Sequence, residues 1–96
     1  MSQMVIGALS LKLAIFEAVT LKDKRRVVNS LKERLLGKFR VSVAEVGSLD
    51  HHKQAELGVA MVANDHRFVE SCLHKIVDYV RLDRSATLVD WEIEFY

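Results

Sequence analysis

The densest concentration of chemically active side chains in this sequence is basic. Residues 22–40 carry Lys22, Lys24, Arg25, Arg26, Lys32, Arg34, Lys38 and Arg40 against Asp23 and Glu33, a net charge of +6, whereas the rest of the chain nets −5. Cations at that density suit phosphate oxygens, and a basic stripe along one helix is the electrostatic footprint of a nucleic-acid backbone. On a helix, Lys22, Arg25, Arg26 and Lys32 share one exposed flank around Asn29. Lys24 falls nearer the apolar stripe, so its amine is expected to reach out past a strand end. Lys22, Lys24, Arg25, Arg26 and Lys32 are therefore the candidate nucleic-acid-binding residues. The plainer alternative is a solubilising helix face, since charged side chains belong on surfaces whatever else they do.

The other reactive groups are scattered. Histidine occurs at positions 51, 52, 66 and 74. Adjacent side chains in an extended loop point apart, so His51 and His52 are not expected to share an ion. Two helical turns, ~12 Å, separate His66 from His74, too far for one metal. No metal, cofactor or small-molecule ligand is expected. The single cysteine, Cys72, excludes a disulfide scaffold and a CxxC site, fits a reducing compartment, and falls in an apolar stripe with no histidine to activate it. Glu17-Ala18-Val19-Thr20 occupies the place where small acylphosphatases of similar topology hold phosphate in a glycine-containing loop. Here the loop has no glycine and opens with an acid. Free amides at the start of the next helix, with Lys22 and Lys24, leave a small anion-binding phosphohydrolase as the remotest alternative. No base or nucleophile accompanies them, so no catalytic residue is assigned and a non-enzymatic protein is expected.

Six elements must position these groups. Val5, Leu9, Leu11, Leu13 and Ile15 alternate with smaller and more polar residues, a long strand over 4–16 with one buried face. Thr20 and Asp23 form a capping pair. Leu21, Val28, Leu31 and Leu35 follow at helical spacing, and Gly37 offers a left-handed stop, which predicts a helix over 21–36. Phe39, Val41 and Val43 alternate as a second strand. Residues 47–54 read as a polar hairpin loop, and Leu57, Val59 and Met61 as a third strand. Asn64 is placed to cap a second helix whose stripe is Val69, Cys72, Leu73, Ile76, Val77 and Val80. Val89, Trp91, Ile93 and Phe95 alternate with acids in the last strand, so Trp91 is expected to be buried against a helix.

The order βαββαβ with short loops and no proline closes naturally as a ferredoxin-like α+β sandwich: a four-stranded antiparallel sheet with two helices on one face. The open face then carries Ser10, Lys12, Ser42, Ala44, Gly58, Ala60, Asp90, Glu92 and Glu94. The central strands offer it no aromatic ring, and the acids repel phosphate, so base stacking on the sheet is disfavoured. A flat face of small residues instead suits another protein or a second copy, and a homodimer through this face or the strand edges is the second expectation.

Half the residues are hydrophobic and 28% are charged, ordinary globular composition for one domain spanning 1–96. The apolar start lacks a preceding basic segment and a cleavage site, and is too short to span a bilayer, so a cytoplasmic protein without membrane association is expected.

The segments TLKDKRRVVNSLKERL (20–35), FRVSVAEV (39–46), GVAMVAND (58–65) and DWEIEF (90–95) resemble the YlxP-like family, a bacterial family of unknown function. The resemblance covers nearly the whole chain in order. It implies the ferredoxin-like fold and, from genes that often sit among those of translation initiation and ribosome maturation, association with RNA or the ribosome. The signature positions it carries are Leu21, Lys22, Lys24, Arg25, Arg26, Ser42, Glu45, Asn64 and Asp65. In the hairpin loop, relatives tend to have an acid followed by a Leu-Trp-Gln-like run. This chain keeps Asp50 but continues His51-His52-Lys53, so a partner contact through that tryptophan is in doubt here.

Overall fold

The computed structural model describes residues 3–96. Its elements run β1 (Val5–Ala14), α1 (Leu21–Lys38), β2 (Ser42–Gly47), β3 (Gln54–Ala63), α2 (His66–Arg81) and β4 (Thr87–Phe95). The strands form one antiparallel sheet in the order β2-β3-β1-β4. Helix α1 lies over β2 and β3, and α2 over β1, β3 and β4. This is the ferredoxin-like α+β sandwich that the element order predicts.

The two-residue period of β1 supplies the core's floor, with Leu9, Leu11 and Leu13 buried while Ser10 and Lys12 face solvent. Leu57 and Val59 continue the buried face on β3. Val28, Leu31 and Leu35 descend from α1, and Val69, Leu73, Ile76, Val77 and Val80 from α2. Helix α2 rides close over β1 at Gly7, where an added Cβ would stand 2.5 Å from Val69 Cγ1 and 2.8 Å from Leu73 Cδ1. Only a residue without a side chain admits that approach.

Several local expectations are corrected. Helix α1 does not stop at Gly37, which stays helical; the last turn closes when the Phe39 N–H donates to Leu35 O (2.9 Å). Strand β2 accordingly starts later, where pairing with β3 opens at Ser42 opposite Ala60. Strand β3 begins earlier, because Gln54 and Ala55 pair with Ala14 and Leu13 of β1. Asp65 rather than Asn64 caps α2, its carboxylate accepting the Phe68 N–H at 3.1 Å.

The largest correction is in β4. Lys12 pairs with Asp90 but Leu13 with Leu88, so Val89 is an extra residue in the ladder. This bulge turns Leu88 inward and leaves Val89 64% exposed. Beyond it Trp91 keeps its inward parity, but β4 is an edge strand and the indole is only half-buried, meeting His74 edge-on (5.5 Å between centroids) with Arg81 6.0 Å away.

Candidate functional site

The sequence places the site on α1, and the helix begins as its capping pair dictates. Thr20 Oγ1 accepts the Asp23 N–H (3.1 Å), while Asp23 Oδ2 accepts from Val19 (3.0 Å) and Thr20 (3.1 Å). The N–H groups of Val19 and Thr20, with Arg26 nearby, hold the Asp23 carboxyl below its ordinary value despite some desolvation. The Asp23 carboxylate thus closes the capping box on the two N–H groups that precede the helix.

Lys22, Arg25 and Arg26 are exposed, and Lys32 is half-buried on the same side of the helix. Lys24 is not with them. Its side chain is 0% exposed, and Nζ donates to Glu45 Oε2 (2.7 Å), Ser48 O (2.9 Å) and Leu49 O (3.2 Å). The expected exit past a strand end fails because an amine beside the buried stripe finds three oxygens within the protein. All three ammonium hydrogens are thereby satisfied, as burial of the charge demands. Lys24 therefore ties α1 to the β2–β3 hairpin and leaves the predicted phosphate footprint, and with it the phosphohydrolase alternative loses one of its two cations. Ser48, in the same turn, adopts a left-handed φ of 56° and donates from Oγ to Glu56 (3.2 Å).

Sequence reading missed a second basic line. Arg26, Ser30, Arg34 and Lys38 recur every four residues, about one helical turn apart, a line that starts on the outward side at Arg26 and reaches α2 at Arg34 and Lys38. Arg34 Nη2 donates to Asp83 Oδ1 (2.8 Å), Nη1 to Tyr79 Oη (3.4 Å) and Nε to Ser30 O (3.3 Å). The hydrogen bond to Asp83 raises the Arg34 pKa above its ordinary value. Lys38 Nζ lies 5.3 Å from the centroid of the Tyr79 ring, which also meets Phe39 edge-on. A cleft of about 210 Å³ opens here among Arg26, Val27, Ser30, Arg34 and Ser85. The four-residue spacing was the available signal; the partners Tyr79 and Asp83, 45 and 49 residues from Arg34, could not be read from it.

The histidines go to separate places. His51 and His52 stack with centroids 6.0 Å apart instead of pointing apart, and His51 Nδ1 accepts the Lys53 N–H. His66 lies against Phe95 and His74 against Trp91. Among the described residues no three His, Cys, Asp or Glu side chains gather in metal-binding geometry. Cys72 is half-buried beside the core.

On the opposite side of the molecule, the open sheet face holds a shallow trough of about 390 Å³ floored by small residues of β1, β2 and β3, among them Ala8, Ser10, Ala44, Gly58 and Ala60. The positions expected there are there. No helix among the described residues is long and apolar enough to cross a membrane.

Comparison with known proteins agrees with this architecture. The de novo designed protein Foldit4 superposes with a TM-score of 0.55 over 98% of this chain and 97% of its own, at 14% identity, a likeness of fold alone. The uncharacterized protein YlxP of Bacillus subtilis (strain 168) is 28% identical over 91 residues, covering 91% of this chain and 99% of that protein. The family described as "Protein of unknown function (DUF503)" matches residues 6–93. With its motifs in order along nearly its whole length, the chain belongs to the YlxP-like DUF503 family.

Proposed function

We propose that this protein is a cytoplasmic, non-enzymatic binding protein that engages RNA, or an RNA–protein particle such as the ribosome, through the outward side of α1. The observation that carries the reading is the exposure of Lys22, Arg25 and Arg26 together, with Lys32 beside them, in a segment of net charge +6 within a chain that is otherwise negative. Each such cation that meets a phosphate releases a condensed counterion, and guanidinium groups add bidentate hydrogen bonds. Lys24 serves here as a positioning residue that seats α1 on the hairpin.

Affinity capture of the tagged protein, with and without nuclease, tests the reading. RNA is expected to co-purify and to be lost on nuclease treatment. The Arg25→Glu/Arg26→Glu variant should fold with a stability change under ~0.5 kcal/mol, because both side chains are exposed. It should lose the RNA, its salt slope flattening by about one unit per phosphate contact removed. A folded double variant that retains the same RNA at the same salt concentration refutes the proposal.

A second reading is favoured by the trough on the open sheet face: a protein-interaction module, or a homodimer, joined through that surface. Its binding would persist at high salt where burial of apolar area dominates.

A further inference from the structure

We infer that the open sheet face docks a cationic amphipathic helix of a protein partner. This deepens the second reading above by naming the occupant, and it is independent of the RNA reading on α1.

Three observations select that occupant. The first is width. The floor residues Ala8, Ala44, Gly58 and Ala60 lie on the adjacent strands β1, β2 and β3, so the trough spans two interstrand spacings, ~9.6 Å. An α-helix with its side chains is ~10 Å across. The second is depth with an apolar lining. Small side chains at Ala8, Ala44 and Ala60 let a helix approach closely, and Val46 leans over Gly58, its Cγ1 3.1 Å from where a Cβ would stand, which puts an apolar wall beside the floor. Val46 (63% exposed) and Val62 (62%) are large apolar side chains left to solvent on this face.

The third observation is the sign of the rim. The register sets Glu94 beside Ala8, Glu92 beside Ser10, and Asp90 and Glu56 on either side of Lys12. Four carboxylates thus face out against one amine. A helix with Lys or Arg along the flank nearest β4 and Ala, Leu or Val beneath it is complementary in both charge and surface. The same rim opposes the other occupants. Phosphate is repelled, the floor has no ring for a base, and a second copy stacked with its β4 over this β4 would set acid against acid.

The test uses the full chain, isotope-labelled, and two synthetic 18-residue helical peptides. One is built from Ala, Leu and Lys with a single apolar stripe; its counterpart has Glu in place of every Lys. The cationic peptide should shift the amide signals of Ala8, Ala44, Gly58 and Ala60 saturably, and the acidic one should bind at least about tenfold more weakly. Glu92→Lys/Glu94→Lys should weaken the cationic peptide by at least about tenfold, with Glu92→Gln/Glu94→Gln intermediate and available should the reversal disturb folding. Ala60→Gln should fill the trough and abolish the shifts. Arg25→Glu/Arg26→Glu, on the opposite side of the sheet, should change affinity less than about threefold. Equal binding of both peptides, or shifts that miss the trough residues, overturns the inference. Sedimentation as a dimer that Ala60→Gln dissociates also overturns it, while sustaining the broader reading of this face as an interface. A trough that responds to neither peptide in a monomeric protein removes both.

Discussion

The buried ammonium of Lys24 is the residue on which one end of the molecule turns. A charge taken fully out of water is tolerated only while its partners remain, so removing one partner costs more than removing the pair. Glu45→Ala is expected to destabilise by ~3–5 kcal/mol in urea denaturation. Lys24→Met/Glu45→Leu should recover most of that loss, because no unpaired charge is then buried and only the part-buried carbonyls of Ser48 and Leu49 lose a donor. A double variant as unstable as Glu45→Ala would show that the cost lies in leaving the carbonyls of Ser48 and Leu49 without their donor rather than in an unpaired charge. Asp83 provides the corresponding pH dependence. Partial burial pushes its carboxyl up, but hydrogen bonds from Arg34 and from the N–H groups of Ala86 and Ser85 bring it below its ordinary 3.8. A depressed native pKa means that the ionised form is favoured by folding. Its stabilisation is present in full above the unfolded value and is lost as pH falls through the lower folded one. Asp83→Asn should be less stable than the parent at pH 7, and the gap should narrow below pH ~4 in parallel denaturation curves. Sequence located Lys24 without its partners and gave no sign of Asp83. Spacing put Lys24 near the apolar stripe, but Glu45, Ser48 and Leu49 lie 21 to 25 residues away, and nothing local reports contacts closed only by the fold.

At the scale of elements, periodicity was reliable where both sides of an element meet regular neighbours. The parity of β1 and the stripe of α2 were legible because each packs on or within the sheet over its whole length. Terminal residues were less so, since helix and strand ends are decided by competing hydrogen bonds: Gly37 remains helical while Leu35 O finds the Phe39 N–H. The bulge at Val89 was illegible, because Val89 continues the hydrophobic alternation of Trp91, Ile93 and Phe95. Only the register against Lys12 and Leu13 reveals the extra residue. The consequence is measurable. With its indole half-buried at an edge strand, Trp91→Ala should cost ~2 kcal/mol, less than the 3–5 kcal/mol of a fully enclosed tryptophan. Native fluorescence should peak between the wavelengths of buried and solvated indole. A fully buried emission maximum would contradict the edge placement.

Across the whole molecule, charge is divided by the sheet. Basic α1 occupies one side, and the carboxylates of Asp90, Glu92 and Glu94 point to the other. The two proposed surfaces therefore select opposite chemistry and can be tested separately. The fold class was legible because six elements in the order βαββαβ have few ways to close; the basic flank was legible as charge, and its division into an exposed cluster and a buried anchor was not. The strand order also carries a consequence for how the molecule comes into being. β1 is made first, yet both of its neighbours, β3 and β4, come later, beginning at Gln54 and Thr87. During synthesis an apolar strand with two open edges waits while α1 and β2 emerge, and closing so long a loop sets the pace of assembly. Pulse-labelled hydrogen exchange during refolding should show the amides of Leu9 and Leu11 gaining protection no earlier than Val59. Nascent chains ending before residue 54 should be the ones prone to aggregate or to engage chaperones, through the very strand that later becomes the most enclosed in the protein.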